Sequence, residues 1–435
     1  MSLILPAFQR ITRTPSANEW QRFRTYAARV VELFVGKREV SSETITFLGM
    51  RSTPDPLWSR LASLRITNGL GWGAVPYALA FLSQTVANLT LILPQDESIL
   101  VQPILSIASN RCHWIQELVL DVVAGDSHSA NGVGGLISAC RDTLRTLEIK
   151  SPFTAEHLLN MAKLPQLRIL GLERAHFPCD LPPNAFPNLE EVTILRFQGP
   201  RLQHFFQRLR TTNLKVVKIY GITPIAFKKT MAALSRFSTS LRVLEISAVT
   251  SLDLPGTVVP RLFTNLSNLH VGCVRWGDGI NGPCAFRPTD QAIAELGAAM
   301  PNITHLTLGS PTCPGLQRVT FLSLVNLSKA CRDLETLVIK VDFQTIVAPP
   351  LRRNEDVETG ATSDGTQDDA CKLRKLVVGF STLPDHPDSE WIVTIGLMKI
   401  FPSLSEVEGY AFDRHKWEKV GRNLRMSQRV LRTVQ

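Results

Sequence analysis

One six-residue phrase, L-x-x-L-x-L, constrains this chain more than any other feature of its sequence. It fits LASLRI at Leu61, VANLTL at Val86, IQELVL at Ile115 and LRTLEI at Leu144. It continues with LRILGL at Leu167, LEEVTI at Leu189, LKVVKI at Leu214 and LRVLEI at Leu241. LSNLHV at Leu266, ITHLTL at Ile303, LETLVI at Leu334 and LRKLVV at Leu373 follow. Weaker copies stand at each end, VVELFV from Val30 and LSEVEG from Leu404. Successive copies are 22 to 39 residues apart, mostly 22 to 31. One match means little, because Leu is common; a dozen in series at this period is the signature of a leucine-rich-repeat array.

The physical reason lies in the alternation. The last four residues of the phrase, x-L-x-L, have the period of two expected of a short strand with one buried face. Between copies run stretches with helical spacing, such as TAEHLLNMAKL from Thr154 and PIAFKKTMAALSRF from Pro224. In the second, Pro224 suits the first turn, and Ile225, Phe227, Met231, Leu234 and Phe237 are predicted to face inward. A single strand-turn-helix unit cannot bury its apolar face; stacked units bury each other's. The predicted fold is therefore α/β, a leucine-rich-repeat solenoid of about 12–14 irregular repeats. Its curved parallel sheet lines the concave side and its helices the convex side.

The ends read as caps. SANE, Ser16 to Glu19, has the spacing of a helix capping box, and Trp20, Phe23, Tyr26, Ala27 and Val30 recur at helical intervals behind it. At the other end Trp417, Val420, Leu424 and Leu431 form a stripe on a basic helix. The predicted division is an N-terminal segment and capping helix at 1–35, the solenoid at 36–410, and a C-terminal basic capping helix at 411–435. The polar, acidic run from Arg352 to Ala370 is predicted to be a disordered loop, near 350–371.

Charge and cysteine usage narrow the partners. The net charge is +9, which invites a nucleic-acid reading, but its distribution argues against one. Residues 1–65 carry ten Lys and Arg against five Asp and Glu, and residues 411–435 seven against two, so the repeats between sum to −1. The eight cysteines include no C-x-x-C pair, and MSLILPAF lacks the basic region and the long apolar run of a secretory signal. Reduced thiols in an intracellular chain are expected. The uncharged segment from Asn68 to Gln95 is long enough to span a bilayer, but Pro76, Ser83, Gln84, Asn88 and Thr90 interrupt it. It reads as a buried helix feeding a buried strand, and no membrane partner is expected.

No catalytic constellation assembles. There is no G-x-S-x-G, phosphate-binding Gly loop or H-E-x-x-H, and no cofactor is expected. GVGG, Gly132 to Gly135, reads as a turn entering a helix. His270 and His305 fall on outward positions of neighbouring strands near Cys273, without the further ligands a metal site needs. The outward strand positions are the better place for function. They mix both charge signs with scattered aliphatic groups, which suits a protein surface. Glu148, Lys150, Glu173, Leu195, Lys218, Tyr220, Glu245, His270, His305 and Lys340 are the candidate protein-binding residues. Tyr220, beside Lys218 and near Leu195 and Glu245, is the expected anchor.

Four copies carry a Cys ahead of the phrase: Cys112, Cys140, Cys331 and Cys371. The pattern C-x-x-L-x-x-L-x-L is similar to the cysteine-containing repeats of F-box proteins. The irregular period and the missing Asn ladder resemble the divergent repeats of fungal, basidiomycete-type F-box proteins. NEWQRFRTYAARVVELFV, from Asn18, resembles the helix that follows an F-box there, and FPSLSEVEGYAFDRHKWEKV, from Phe401, resembles the closing repeat and final helix. The F-box itself, a helical module of roughly 40–50 residues, is expected to be absent from this chain or truncated in it: about 17 residues precede the first helix, and MSLILPAFQRIT does not resemble one. The resemblance implies a non-catalytic substrate-recognition part of a cullin-type ubiquitin ligase, with a Skp-type adaptor as partner if an F-box lies upstream. The alternative is a leucine-rich-repeat scaffold with no ligase role.

Overall fold

The computed structural model describes residues 2–3, 13–35, 42–51, 57–67, 75–79, 81–93, 101–111, 113–122, 127–150, 153–173, 181–196, 202–248, 263, 265–273, 288–309, 319–344, 370–410 and 413–434. They form two compact units, Met1–Leu214 and Lys215–Gln435.

In the first unit the strands are β1 (Ser2–Leu3), β2 (Glu32–Val35), β3 (Ser63–Ile66), β4 (Asn88–Ile92), β5 (Glu117–Asp121), β6 (Thr146–Ile149), β7 (Ile169–Glu173) and β8 (Glu191–Leu195). Its helices are α1 (Ala17–Ala27), α2 (Ser42–Arg51), α3 (Val75–Leu79), α4 (Val101–Ser109), α5 (Ser127–Ala139), α6 (Ala155–Met161) and α7 (Leu202–Arg208). The second unit holds β9 (Val216–Ile222), β10 (Val243–Ala248), β11 (Asn268–Cys273), β12 (His305–Leu308), β13 (Thr336–Ile339), β14 (Lys375–Gly379) and β15 (Glu406–Gly409). Its helices are α8 (Pro224–Leu234), α9 (Asp290–Ala299), α10 (Phe321–Ala330), α11 (Ser389–Ile400) and α12 (Arg414–Val434). Within each unit every strand pairs in parallel with the one before and after it in sequence.

This is an α/β leucine-rich-repeat solenoid fold. Each of β2–β15 opens on the third residue of a copy of the repeated phrase. The first, fourth and sixth positions of the phrase supply the core: in β6, Leu144, Leu147 and Ile149 are 0%, 0% and 1% exposed. Each such burial contributes about 1.5–3 kcal/mol before conformational entropy is subtracted. Five of the helices start where the sequence supplies a side-chain cap. Thr154, Thr223, Thr289 and Thr320 each accept a hydrogen bond from a backbone N–H in the first turn of α6, α8, α9 and α10. Ser16 and Glu19 form the expected capping box on α1.

Side chains tie the repeats together where an Asn ladder is missing. The carbonyl of the phrase's first residue accepts a bond from the following repeat. Thr85 Oγ1 donates to Leu61 O at 2.8 Å, Thr143 Oγ1 to Ile115 O at 2.8 Å and Thr211 Oγ1 to Leu189 O at 2.9 Å. Cys371 Sγ makes the same contact with Leu334 O at 3.9 Å and a closer one with Cys331 O at 3.3 Å. Behind β15 the donor comes from α12, whose Gln428 Nε2 lies 2.6 Å from Leu404 O.

Several local expectations are corrected. Ile225 is 77% exposed, while Phe227, Met231, Leu234 and Phe237 are buried. Ile225 lies two residues before Phe227, close to the opposite side of the helix, and cannot share its face. Tyr26 is likewise 59% exposed, whereas Ala27 and Val30 are buried. Gly132 to Gly135 lie within α5 rather than in a turn. A Cβ at Gly132 would sit 3.0 Å from Leu105 Cβ, so α4 and α5 approach closely there. A strand, β1, pairs with β2 ahead of α1. The Asn68–Gln95 segment contributes α3 and β4, and among the described residues no helix is long and apolar enough to cross a membrane. The acidic run 352–370 lies outside the described residues apart from Ala370, and so do Cys112 and the side chain of Leu431.

Candidate functional site

Alternation along each strand leaves the third, fifth and seventh phrase positions on the sheet face opposite the core. The expected candidates all stand there. Glu148, Lys150, Glu173, Leu195, Lys218, Tyr220, Glu245, His270 and Lys340 are half-buried, and His305 is exposed. Strand register divides most of them into two groups, one in each unit.

The first group surrounds a pocket of about 220 Å³ on β6, β7 and β8. At its centre is Gly171, opposite Glu148 on one side and Thr193 on the other. Ile169 and Glu173 precede and follow Gly171 on the same face of β7, and Ile169 is 38% exposed. Thr146, Lys150, Glu191 and Leu195 complete the lining on the flanking strands. A Cβ at Gly171 would lie 3.0 Å from Glu148 Cγ, so the Glu148 side chain leans over this residue and forms one wall of the pocket. Lys150 Nζ lies 3.6 Å from Glu148 Oε1, and Arg196 Nη1 lies 3.3 Å from Glu173 Oε1. Arg196 sits at φ 52°, in the left-handed region that few side-chain-bearing residues adopt. The sequence placed Glu148, Lys150, Glu173 and Leu195 outward. The signal for a cavity among them was a Gly at an outward position between larger neighbours.

The second group lies on β9, β10 and β11. Lys218, Glu245 and His270 stand side by side in register. Tyr220 Oη donates to Glu245 Oε2 at 2.5 Å. The reach is diagonal, because Tyr220 lies directly opposite Ser247. A bulge sets this position: Gly221, at φ 91°, is the extra residue between Tyr220 and Ile222, which faces Ala248. Only Gly adopts that conformation without steric cost. Burial, reinforced by the bond to Glu245, pushes the Tyr220 phenol up from its ordinary pKa. Burial pushes His270 down, against the opposing pull of the Glu245 carboxylate. The His270 ring folds over Gly272, where a Cβ would come within 2.8 Å of Nε2.

His270 and His305 are not directly opposed. His270 pairs with Thr307, and His305 with Asn268, so the two rings start from diagonal positions. The side chain of Cys273 lies outside the described residues. Among the described residues no group of three or more His, Cys, Asp or Glu is placed to hold a metal ion. Lys340, just beyond β13, belongs to neither group.

The cysteines of the repeats are core groups. Cys140, Cys331 and Cys371 are buried thiols. Burial pushes Cys140 and Cys331 up to about 12 and raises Cys371 as well. Thiolate chemistry is suppressed at such sites.

No protein-family profile matches the chain, and no curated protein matches it. Among solved structures, it is similar to a chain in the crystal structure of the Rad7 and Elc1 complex in yeast. The identity is 12% and the TM-score 0.46, over 91% of this chain and 90% of that one. It is also similar to an internalin (inlF) from Listeria monocytogenes str. 4b F2365. There the identity is 12% and the TM-score 0.37, over 93% of this chain and 87% of the other. The fold rests on the strand register described above; likenesses of this size add nothing to it.

Proposed function

We propose that this protein is a non-catalytic protein-interaction module that holds a protein target on the face of its sheet opposite the core, the concave face expected from the sequence. The observation that carries the reading is the ordered polar group on β9–β11. Lys218, Glu245 and His270 run side by side, and Tyr220 is clamped to Glu245 at 2.5 Å. A half-buried Tyr held in one rotamer by a charge-assisted bond loses little freedom on binding, which suits an anchor at a protein interface. Mixed charges and aliphatic groups around it fit a protein surface better than a phosphate backbone.

The resemblance of the cysteine-containing repeats to those of F-box proteins extends the reading. The target would be a substrate presented to a cullin-type ubiquitin ligase, and the chain's contribution would be to raise its local concentration beside the transferase. A Skp-type adaptor would then be the second partner.

The test is affinity capture with three versions of the chain: unaltered, Lys218→Glu with Tyr220→Ala on the sheet face, and Lys228→Glu with Lys229→Glu on α8. A target captured by the first and third and lost from the second supports the module. A target lost only from the α8 variant, or captured equally by all three, overturns it. Co-purification of a Skp-type adaptor with the same bait supports the ligase role. A target without an adaptor identifies a scaffold instead.

A further inference from the structure

The pocket centred on Gly171 has no role in the anchor at Tyr220, and its chemistry names what enters it. We propose that it receives one cationic side chain, arginine or lysine, from an extended segment of a protein partner. The inference rests on the reading of this sheet face as a protein-docking surface.

Size comes first. The cavity of about 220 Å³ exists because one outward position in a three-strand lattice of side chains holds Gly. Glu148 leans over that position without filling the cavity, which opens on the sheet face. Its walls then select the occupant. Ile169 and Leu195 offer aliphatic surface for a methylene stem. Glu148, Glu173 and Glu191 bring three carboxylates to the lining; Lys150 pairs with Glu148 and Arg196 with Glu173, so the group carries one net negative charge. Aliphatic and carboxylate groups in one lining match a long side chain that lays its stem on the first and its charged head on the second. The planar guanidinium adds bidentate bonding to a carboxylate, so arginine is expected to bind more tightly than lysine. An acidic side chain would meet a site of net negative charge, and a neutral isostere of arginine would forgo the attraction.

Nearby structure holds the Glu173 carboxylate in place. Glu173 is only 19% exposed and is gripped by Arg196, whose left-handed backbone turns its side chain back toward β7. Glu148 leans across Gly171. An entering cation displaces that flexible arm to the rim and needs no backbone movement.

The experiment uses the whole chain and four short peptides, Gly-Ser-Gly-X-Gly-Ser-Gly, with X arginine, lysine, citrulline or glutamate. Saturation-transfer NMR at millimolar peptide reports contact. Transfer to the side-chain methylenes of the arginine peptide is expected, with the lysine peptide weaker. Citrulline and glutamate peptides should bind about tenfold more weakly or not at all, the loss expected for one charged contact. Gly171→Leu should abolish the signal, and Glu173→Gln should weaken it. Gly171→Ala is the milder variant: its Cβ meets Glu148 Cγ at 3.0 Å and Glu148 Cβ at 3.4 Å, a contact that a turn of the Glu148 side chain relieves, and Ala suits a strand better than Gly. Its urea midpoint should be equal or higher while arginine binding falls. Equal transfer from arginine and citrulline, full binding by Gly171→Leu, or no transfer from the arginine peptide overturns the pocket's assignment. The docking role itself is read separately: a target lost from the β9 variants and retained by Gly171→Leu sinks this inference and leaves the module standing.

Discussion

Tyr220 and Glu245 are joined by a 2.5 Å hydrogen bond that crosses diagonally between adjacent strands. The carboxylate accepts, so the bond is strongest while the phenol keeps its proton. Ionising Tyr220 would place two negative charges together in a half-buried site. The phenol is therefore expected to titrate above the ordinary tyrosine range. Ultraviolet titration of the native protein, with Tyr220→Phe as the blank, checks this; a Tyr220 transition at or below the ordinary value refutes it. Because the folded-state pKa is raised, the contribution to stability is present below the ordinary tyrosine pKa and is lost as pH rises through the folded value. At neutral pH Tyr220→Phe should cost about 1 kcal/mol, the net worth of such a bond with partial solvent access.

The threonine rungs should carry measurable stability. Thr211 is 2% exposed; it donates to Leu189 O at 2.9 Å and accepts from Asn213 N at 3.1 Å. Thr211→Val keeps the shape and removes both bonds. A loss of about 1–3 kcal/mol is expected in urea unfolding, because a buried carbonyl and a backbone N–H lose a partner. Thr85→Val, at a half-buried rung, should cost less.

Cys140, Cys331 and Cys371 should resist alkylation in the native state. Burial holds the first two at a pKa of about 12 and raises the third. Mapping iodoacetamide adducts by mass spectrometry, with and without denaturant, tests this. Labelling of any of the three in native buffer at the rate of an unfolded thiol would contradict it.

Gly409 should tolerate no side chain. A Cβ there would lie 2.2 Å from Trp417 Cδ1 and 2.9 Å from Trp417 Cβ. Trp417 cannot step aside. It is 1% exposed, its Nε1 donates to Ser381 O at 3.0 Å, and its ring meets Phe343 edge-on at 5.0 Å between centroids. Gly409→Ala should destabilise by about 1–3 kcal/mol. Amide exchange should show protection lost first in α12.

The starts of β2–β15 were legible to the residue, because a phrase with buried first, fourth and sixth positions fixes both where pairing begins and which side faces in; β1, which carries no copy of the phrase, was not. The phrase survives a variable period, so long steps such as the one between Leu334 and Leu373 did not hide β14. Helix faces were less legible. Ile225 is apolar like its neighbours, yet its two-residue step from Phe227 sets it off the buried face, and apolarity alone did not mark that. The threonine rungs were missed because Thr85 and Thr143 stand one residue ahead of the phrase and Thr211 three ahead, so no fixed spacing marks them. For the candidate site, alternation put Glu148, Glu173 and Leu195 on the same side. The cavity required knowing that Gly171 stands opposite Glu148 and Thr193, and a one-dimensional string does not carry that register.

Gln428 has a consequence for how this architecture can grow. At the last strand, α12 takes the carbonyl that elsewhere welcomes the next slab. Duplication of a repeat ahead of β15 would leave that bond untouched. One spliced in behind β15 would find its berth occupied and would have to evict a helix anchored by Trp417. Evolutionary lengthening from this end is thereby blocked, and insertion in the interior is left as the open route.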